Sequence, residues 1–423
     1  MTAGVDLLVT GIGELATLRR GPVPRTGAAA SELDLVEGAA LAVRDGVFVA
    51  VGREGAVRRQ VRLRRGGRAI DAAGGAVVPG FVDPHTHAVF AGDRASELTQ
   101  KIEGRTYLEI AAAGGGLFRT VRQTRRAPTT QLLAETLPRL RRMGRSGTTT
   151  AEVKSGYALT HAGELRLLET VPTLASRSRL GLVPTYLGAH AVPPEHSASP
   201  ERYVDEVVDR TLPEVARRGL ARFADVFCEP GFFTPAQSER ILRAALALGL
   251  GAKLHADEFV YSGGAALAAH LKVRSADHLL TAPAEDREAL ARAGVTAVLL
   301  PATPFASLSP LRSPGREMVD AGVPVAVGTD LSPNSPVESM PLALSHAVYS
   351  GRLTPAEALT AGTVNAAHAI DAADRAGTIS VGRSADFAWF DLPSAQQVAY
   401  RIGAIPEAVY RQGICISPTE VGP

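Results

Sequence analysis

Residues 76–87 read AVVPGFVDPHTH, and how this stretch is read decides the fold. The chain holds only ten histidines in 423 residues, so two of them one residue apart ask for a reason. The apolar, β-branched run is bounded by Gly and Pro and reads as a buried strand. Alternate strand side chains share a face, so Asp83, His85 and His87 point one way and Pro84 and Thr86 the other. Two imidazoles leaving one strand end are a pair of nitrogen ligands suited to a borderline metal such as zinc. On the pair alone, a metal site and a turn cap beside an exposed ring both stand.

Outward from this stretch, strand-like and helix-like runs alternate, and the strand candidates carry polar residues toward their C-terminal ends. TTTAEVKSGY (148–157) brings Glu152, Lys154 and Tyr157, LGLVPTYLGAH (180–190) ends in His190, and FADVFCE (223–229) ends in Glu229. GAKLHADE (251–258) carries His255 and Glu258, KVRSADHL (272–279) carries Asp277 and His278, and VPVAVGTD (323–330) ends in Asp330. VTAVLLP (295–301) offers nothing ionisable. Amphipathic stretches such as 129–147 and 234–251 lie between them. These runs make an α/β chain with the pattern of a (β/α)8 TIM-type barrel, whose active sites sit at the C-terminal ends of the strands.

The two ends of the chain differ from this middle. DLLVTGIGELATL (6–18), AALAVRDGVFVAVG (39–52) and RAIDAAGGAVVPG (68–80) read as strands and turns, as do AGTISVGRSADFAWFDL (376–392) and EAVYRQGICI (407–416). The Asp-Gly at 45–46, flanked by alternating apolar residues, is a hairpin signal. Both ends together predict one small sheet domain, from residues 1–75 and 377–423, beside a barrel of residues 76–376.

Composition narrows the function classes. Hydrophobic residues are 45 % and charged residues 21 %, as in an ordinary globular enzyme. A net charge of +2 argues against a nucleic-acid or membrane-surface binder. Basic runs such as RRQVRLRRGGR (58–68) read as a solvated face. Two distant cysteines, Cys228 and Cys415, with no CxxC predict a reducing compartment. The start, MTAGVDLLVTG, lacks the pattern of a signal peptide, and no apolar run approaches the ~18 residues of a membrane span. A cytoplasmic protein is expected.

An HxH on strand one, His255 on strand five, His278 on strand six and Asp330 on strand eight resemble the amidohydrolase superfamily of metal-dependent hydrolases. Members of that superfamily also carry a small β-sandwich built from both termini. The stretches FVDPHTHAVFAGDR (81–94), GRTYLEIAAAGGGLFRTVRQTR (104–125), SGTTTAEVKSGYAL (146–159), GAHAVPPE (188–195), KLHADE (253–258), SADHL (275–279) and TVNAAHAI (363–370) together resemble the imidazolonepropionase family. The resemblance runs from about residue 70 to 395, and AEVKSGYAL and GAHAVPPE are its most specific parts.

That resemblance implies hydrolytic opening of imidazolone propionate, a small-molecule substrate, in histidine degradation by a commonly dimeric enzyme. Strand four contains no Lys of the kind that bridges two metals in binuclear members, and though Glu229 or Cys228 could substitute, one divalent metal is expected, Zn2+ or Fe2+, held by His85, His87, His255 and Asp330. Glu258 and His278 are the candidates for moving the proton of the attacking water, with Asp330 as a third. Arg94 occupies the family's carboxylate-binding position, and a guanidinium fork suits the propionate. Tyr157 and His190 match positions lining the substrate ring, and Tyr107 falls beside the propionate. His161, His196, His270, His346 and His368 lie outside the motifs and are given no chemistry.

One departure bears on specificity. DLSPNSP (330–336) is one residue shorter than the family's usual loop and has Ser332 where Asn is expected, so Ser332 and Asn334 would share the substrate contacts there. The altered loop keeps open another cyclic amidohydrolase or aminohydrolase on the same scaffold. A purely structural zinc would need a closed Cys/His set, and neither cysteine lies near these motifs.

Overall fold

The computed structural model describes residues 2–105, 109–110 and 113–417. Eight parallel strands form the barrel: β6 (Phe81–Asp83), β7 (Thr148–Lys154), β8 (Gly181–Ala189), β9 (Phe223–Cys228), β10 (Gly251–Ala256), β11 (Ser275–His278), β12 (Thr296–Leu299) and β13 (Val325–Val327). They follow one another in chain order, with helices such as Thr129–Arg145, His161–Ser178 and Pro235–Ala247 on the outside. The outward faces of the strands, Val226, Leu254 and Ala256 among them, pack against helix residues such as Ile241, Leu242 and Ala265 in one core.

The barrel closes just past the ends of its first and last strands. Asp330 N–H donates to His85 O at 3.1 Å and His87 N–H to Leu331 O at 2.8 Å, and Thr86 and Leu331 form a parallel bridge. The hydrogen bonds that seal the barrel thus bring His85, His87 and Asp330 to one place.

The termini build the second domain. Its strands are β1 (Ala3–Ala16), β2 (Leu35–Arg44), β3 (Val47–Arg53), β4 (Val61–Asp71) and β5 (Ala76–Pro79) from the N-terminal side. From the other end come β14 (Phe387–Phe390), β15 (Ala408–Arg411) and β16 (Ile414–Cys415). They form one hydrogen-bonded sheet in the order β16-β15-β14-β5-β1-β2-β3, with β4 also on β1. Phe48 on β3 and Phe387 on β14 are far apart in that order, yet their ring centroids are 6.1 Å apart. The sheet therefore curls over a shared apolar filling of Leu41, Val77, Phe48 and Phe387 and works as a sandwich. The Asp45-Gly46 turn joins β2 and β3, both residues at positive φ (53° and 80°), as a tight hairpin requires. Arg62, Arg64, Arg65 and Arg68 lie on the solvated strand β4.

One feature of the opening stretch was not legible as written. AVVPGFV is two strands: β5 pairs with β1 and β14 in the terminal sheet, and β6 starts the barrel. The chain crosses between the sheets at Gly80, where a Cβ would sit 2.3 Å from the Thr149 side chain. A run buried on both sides reads as continuous hydrophobicity whichever sheet it joins.

Candidate metal centre and substrate pocket

The barrel's inner layer below the strand ends is ionic. Lys154 Nζ lies 2.7 Å from Asp225 Oδ2, 2.8 Å from Glu152 Oε2 and 3.4 Å from Asp277 Oδ2. Lys253 Nζ lies 2.8 Å from Glu152 Oε2 and donates to Pro84 O at 3.0 Å. Thr185 donates its hydroxyl to Glu152 Oε1. These five charged side chains are fully buried. Burial alone would lower the Lys154 pKa, but Asp225, Glu152 and Asp277 outweigh it and push it up.

One layer higher stand the imidazoles. His85 Nδ1 is 2.6 Å from Asp277 Oδ2, and His255 Nδ1 is 3.0 Å from Asp225 Oδ2. With Nδ1 facing a carboxylate, each ring keeps its proton there and turns the Nε2 lone pair upward. His87 Nε2 lies 3.2 Å from His85 Nε2 and 3.4 Å from His255 Nε2. Asp330 Oδ1 lies 3.6 Å from His85 Nε2 and 3.5 Å from His87 Nε2, while its Oδ2 accepts from Thr303 at 2.9 Å. Burial first, and then neighbouring cationic or imidazole groups, keep the His85 and His87 pKa values well below the usual histidine range.

Three ring nitrogens and a carboxylate oxygen converge at spacings of 3.2 to 3.6 Å, and a cation placed among them would satisfy all four. A tetrahedral site with ligand distances of about 2.1 Å has ligand–ligand edges of about 3.4 Å, close to the spacings seen. The donor set and its supporting carboxylates fit a divalent metal. Lys154 lies in the layer below with its ammonium among three carboxylates. Glu229 is engaged elsewhere: its carboxylate accepts the backbone N–H groups of Glu258, Phe259 and Val260 at 3.0, 3.1 and 2.8 Å.

Above the cluster opens a pocket lined by His87, Arg94, Tyr157, His190, Glu258 and His278, with Ser332 and Asn334 at its edge. His278 adopts φ 73° and Asp330 φ 51°, a region non-glycine residues seldom adopt. That turn lets two successive residues serve the site: Asp277 supports His85 from below and His278 faces the mouth. His278 Nδ1 is 3.7 Å from Glu258 Oε1. Burial, then Asp330 and Glu229, push the Glu258 carboxyl well above the usual range. His190 stacks on His87, centroids 5.1 Å apart and planes 16° apart. Its Nδ1–H donates to Gly156 O at 3.0 Å, leaving Nε2 as the acceptor. Tyr157 lies beside it with ring centroids 5.3 Å apart.

Arg94 is buried, and its Nε donates to Glu97 Oε2 at 2.7 Å. Glu97 Oε1 in turn accepts Gly116 N–H at 3.0 Å. The guanidinium Nη2 has no partner among the described residues. Tyr107 lies outside the described residues.

Sequence reading missed the partners beneath the ligands. Lys253 sits two residues before His255 and so shares its face, and Asp225 precedes Phe227 in the same way. That alternation was the available signal. Glu97 and Thr303 had none, being ordinary helix residues until the fold places them.

An amidohydrolase family model matches residues 76–413. An imidazolonepropionase of Symbiobacterium thermophilum is 48 % identical over 401 residues, covering 94 % of both chains. One of Herpetosiphon aurantiacus is 44 % identical over 415 residues, covering 96 % of this chain and 95 % of that one. A zinc-bound adenosine deaminase structure from Xanthomonas campestris shares the fold at 20 % identity, with a TM-score of 0.69 over 98 % of this chain and 93 % of that one. With its barrel, its histidine–aspartate cluster and these relatives, the chain belongs to the amidohydrolase family, in its imidazolonepropionase branch.

Proposed function

We propose that the chain opens the ring of 4-imidazolone-5-propanoate with water to give N-formimidoyl-L-glutamate, a step in L-histidine degradation. One observation carries this reading: the histidine–aspartate cluster, the Glu258/His278 pair and Arg94, whose Nη2 has no partner among the described residues, line a single pocket. His85, His87, His255 and Asp330 would hold one divalent cation per chain, Zn2+ or Fe2+. Such a cation, when bound, lowers the pKa of a water to about 7 and polarises a carbonyl oxygen.

The chain's own residues position and protonate. His278, kept neutral by burial, accepts a proton from the attacking water as its oxygen bonds to the ring carbonyl carbon. Glu258, whose carboxyl burial holds well above the usual range, gives a proton to the departing ring nitrogen as the C–N bond breaks. The former carbonyl carbon becomes the new carboxylate, and the nitrogen leaves within the formimidoyl group. Asp330 would serve as a ligand through Oδ1 while its Oδ2 accepts from Thr303. Arg94 meets the propionate, and His190 and Tyr157 flank the ring.

An ultraviolet assay of metal-loaded and chelator-treated protein tests this. Metal-dependent loss of imidazolone propionate absorbance, with formiminoglutamate as product, is expected. No loss in the loaded protein would overturn it and turn attention to other cyclic amides, the reading that the altered loop after Asp330 favours.

A further inference from the structure

Between the pocket over the cluster and an adjoining cleft of ≈ 420 Å³ stand three shared polar residues, Arg94, Ser332 and Asn334. Arg94 lines both, and its buried Nη2 has no partner among the described residues. Ser332 Oγ accepts the Ser335 N–H at 3.1 Å, so its own hydroxyl hydrogen is available to donate. Asn334 Oδ1 accepts from Lys101 Nζ at 3.0 Å. An ammonium can only donate, so this contact decides which end of the amide faces Lys101. The Nδ2–H2 end is left for another partner.

We propose that Lys101 is a positioning residue: by holding Asn334 Oδ1 it keeps the amide's donor end for the substrate, so that Asn334 joins Arg94 and Ser332 in a donor-lined carboxylate subsite. This role rests on the hydrolase reading above. A site lined chiefly by N–H and O–H donors favours an anion with several acceptor lone pairs. Lys101 and Asn334 are 233 residues apart, so their contact also ties helix Ala95–Ile102 to the loop after β13.

A double-mutant cycle in steady-state kinetics tests this on the metal-loaded protein. Lys101→Met should raise KM for imidazolone propionate about tenfold, the effect of one lost oriented hydrogen bond, with kcat, metal content and Tm unchanged. In an Asn334→Gly background the same substitution should change KM by less than about twofold. An unchanged KM in the first background, or equal effects in both, would overturn the positioning role alone. A wild-type protein that does not open the ring would overturn the hydrolase reading and this role with it.

Discussion

The floor and the mouth of the barrel both carry Asp and Glu, and those carboxylates behave as opposites in the two places. On the floor, Lys154, Lys253, Glu152, Asp225 and Asp277 are fully buried, and each charge faces an opposite one. At the mouth, polar atoms stand without partners among the described residues: His87 Nδ1 and Arg94 Nη2 are buried and unpaired. Histidine lone pairs there meet other lone pairs. The paired charges of the floor add rigidity and aim the histidines above them, even though Asp225 Oδ1 also lacks a hydrogen-bond partner among the described residues, whereas unpaired atoms lining a concave site await a guest. Position within the barrel, not residue type, separates scaffold from chemistry.

The largest effects should come from breaking the floor. Lys154→Met leaves Asp225 without its lysine partner and only Lys253 beside Glu152 and Asp277, and removing one partner of such a network costs about 3–5 kcal/mol. Calorimetry should show a clear fall in Tm, and metal analysis a loss of metal, because Asp225 and Asp277 no longer hold His255 and His85 in place. A mouth substitution should do the reverse. Glu258→Gln should lower kcat by about 10²- to 10⁴-fold with metal content and Tm near wild type; parallel loss of metal would make Glu258 a support of the cluster instead. Arg94→Ala should act mainly through KM, raising it by about a hundredfold for the loss of a charged hydrogen-bonded contact, and an unchanged KM would remove it from the pocket.

Acid should sharpen the contrast more gently. In the metal-free protein burial raises the Asp330 pKa to about 7, while Thr303 opposes the shift. Metal binding needs the carboxylate form, so below pH 7, where Asp330 takes up a proton, the metal must displace it to bind. Affinity should drop by about tenfold per pH unit just below pH 7, one proton per metal. The His85 and His87 pKa values already lie well below this window. Calorimetric titration of Asp330→Asn should show a weaker affinity with a flatter pH dependence in this range; an unchanged slope would assign the proton elsewhere.

Much of this architecture is legible in the chain itself, because strand alternation and strand ends are local properties. The HxH spacing puts His85 and His87 at one end of β6, and the polar ends of the barrel strands mark out the mouth. What escapes is pairing at a distance. Nothing local says that Asp277 will face His85, 192 residues earlier, or that Lys101 will reach Asn334. The Gly80 crossing escapes for another reason: both sheets bury their strands, so the apolar run carries no mark of where one sheet ends.

The most direct measurement is a titration of Zn2+ or Fe2+ into chelator-stripped protein while following loss of imidazolone propionate absorbance. Activity should rise to a sharp break at one equivalent per chain. A break at two equivalents, or turnover before any metal is added, would contradict a single cation held between His85, His87, His255 and Asp330.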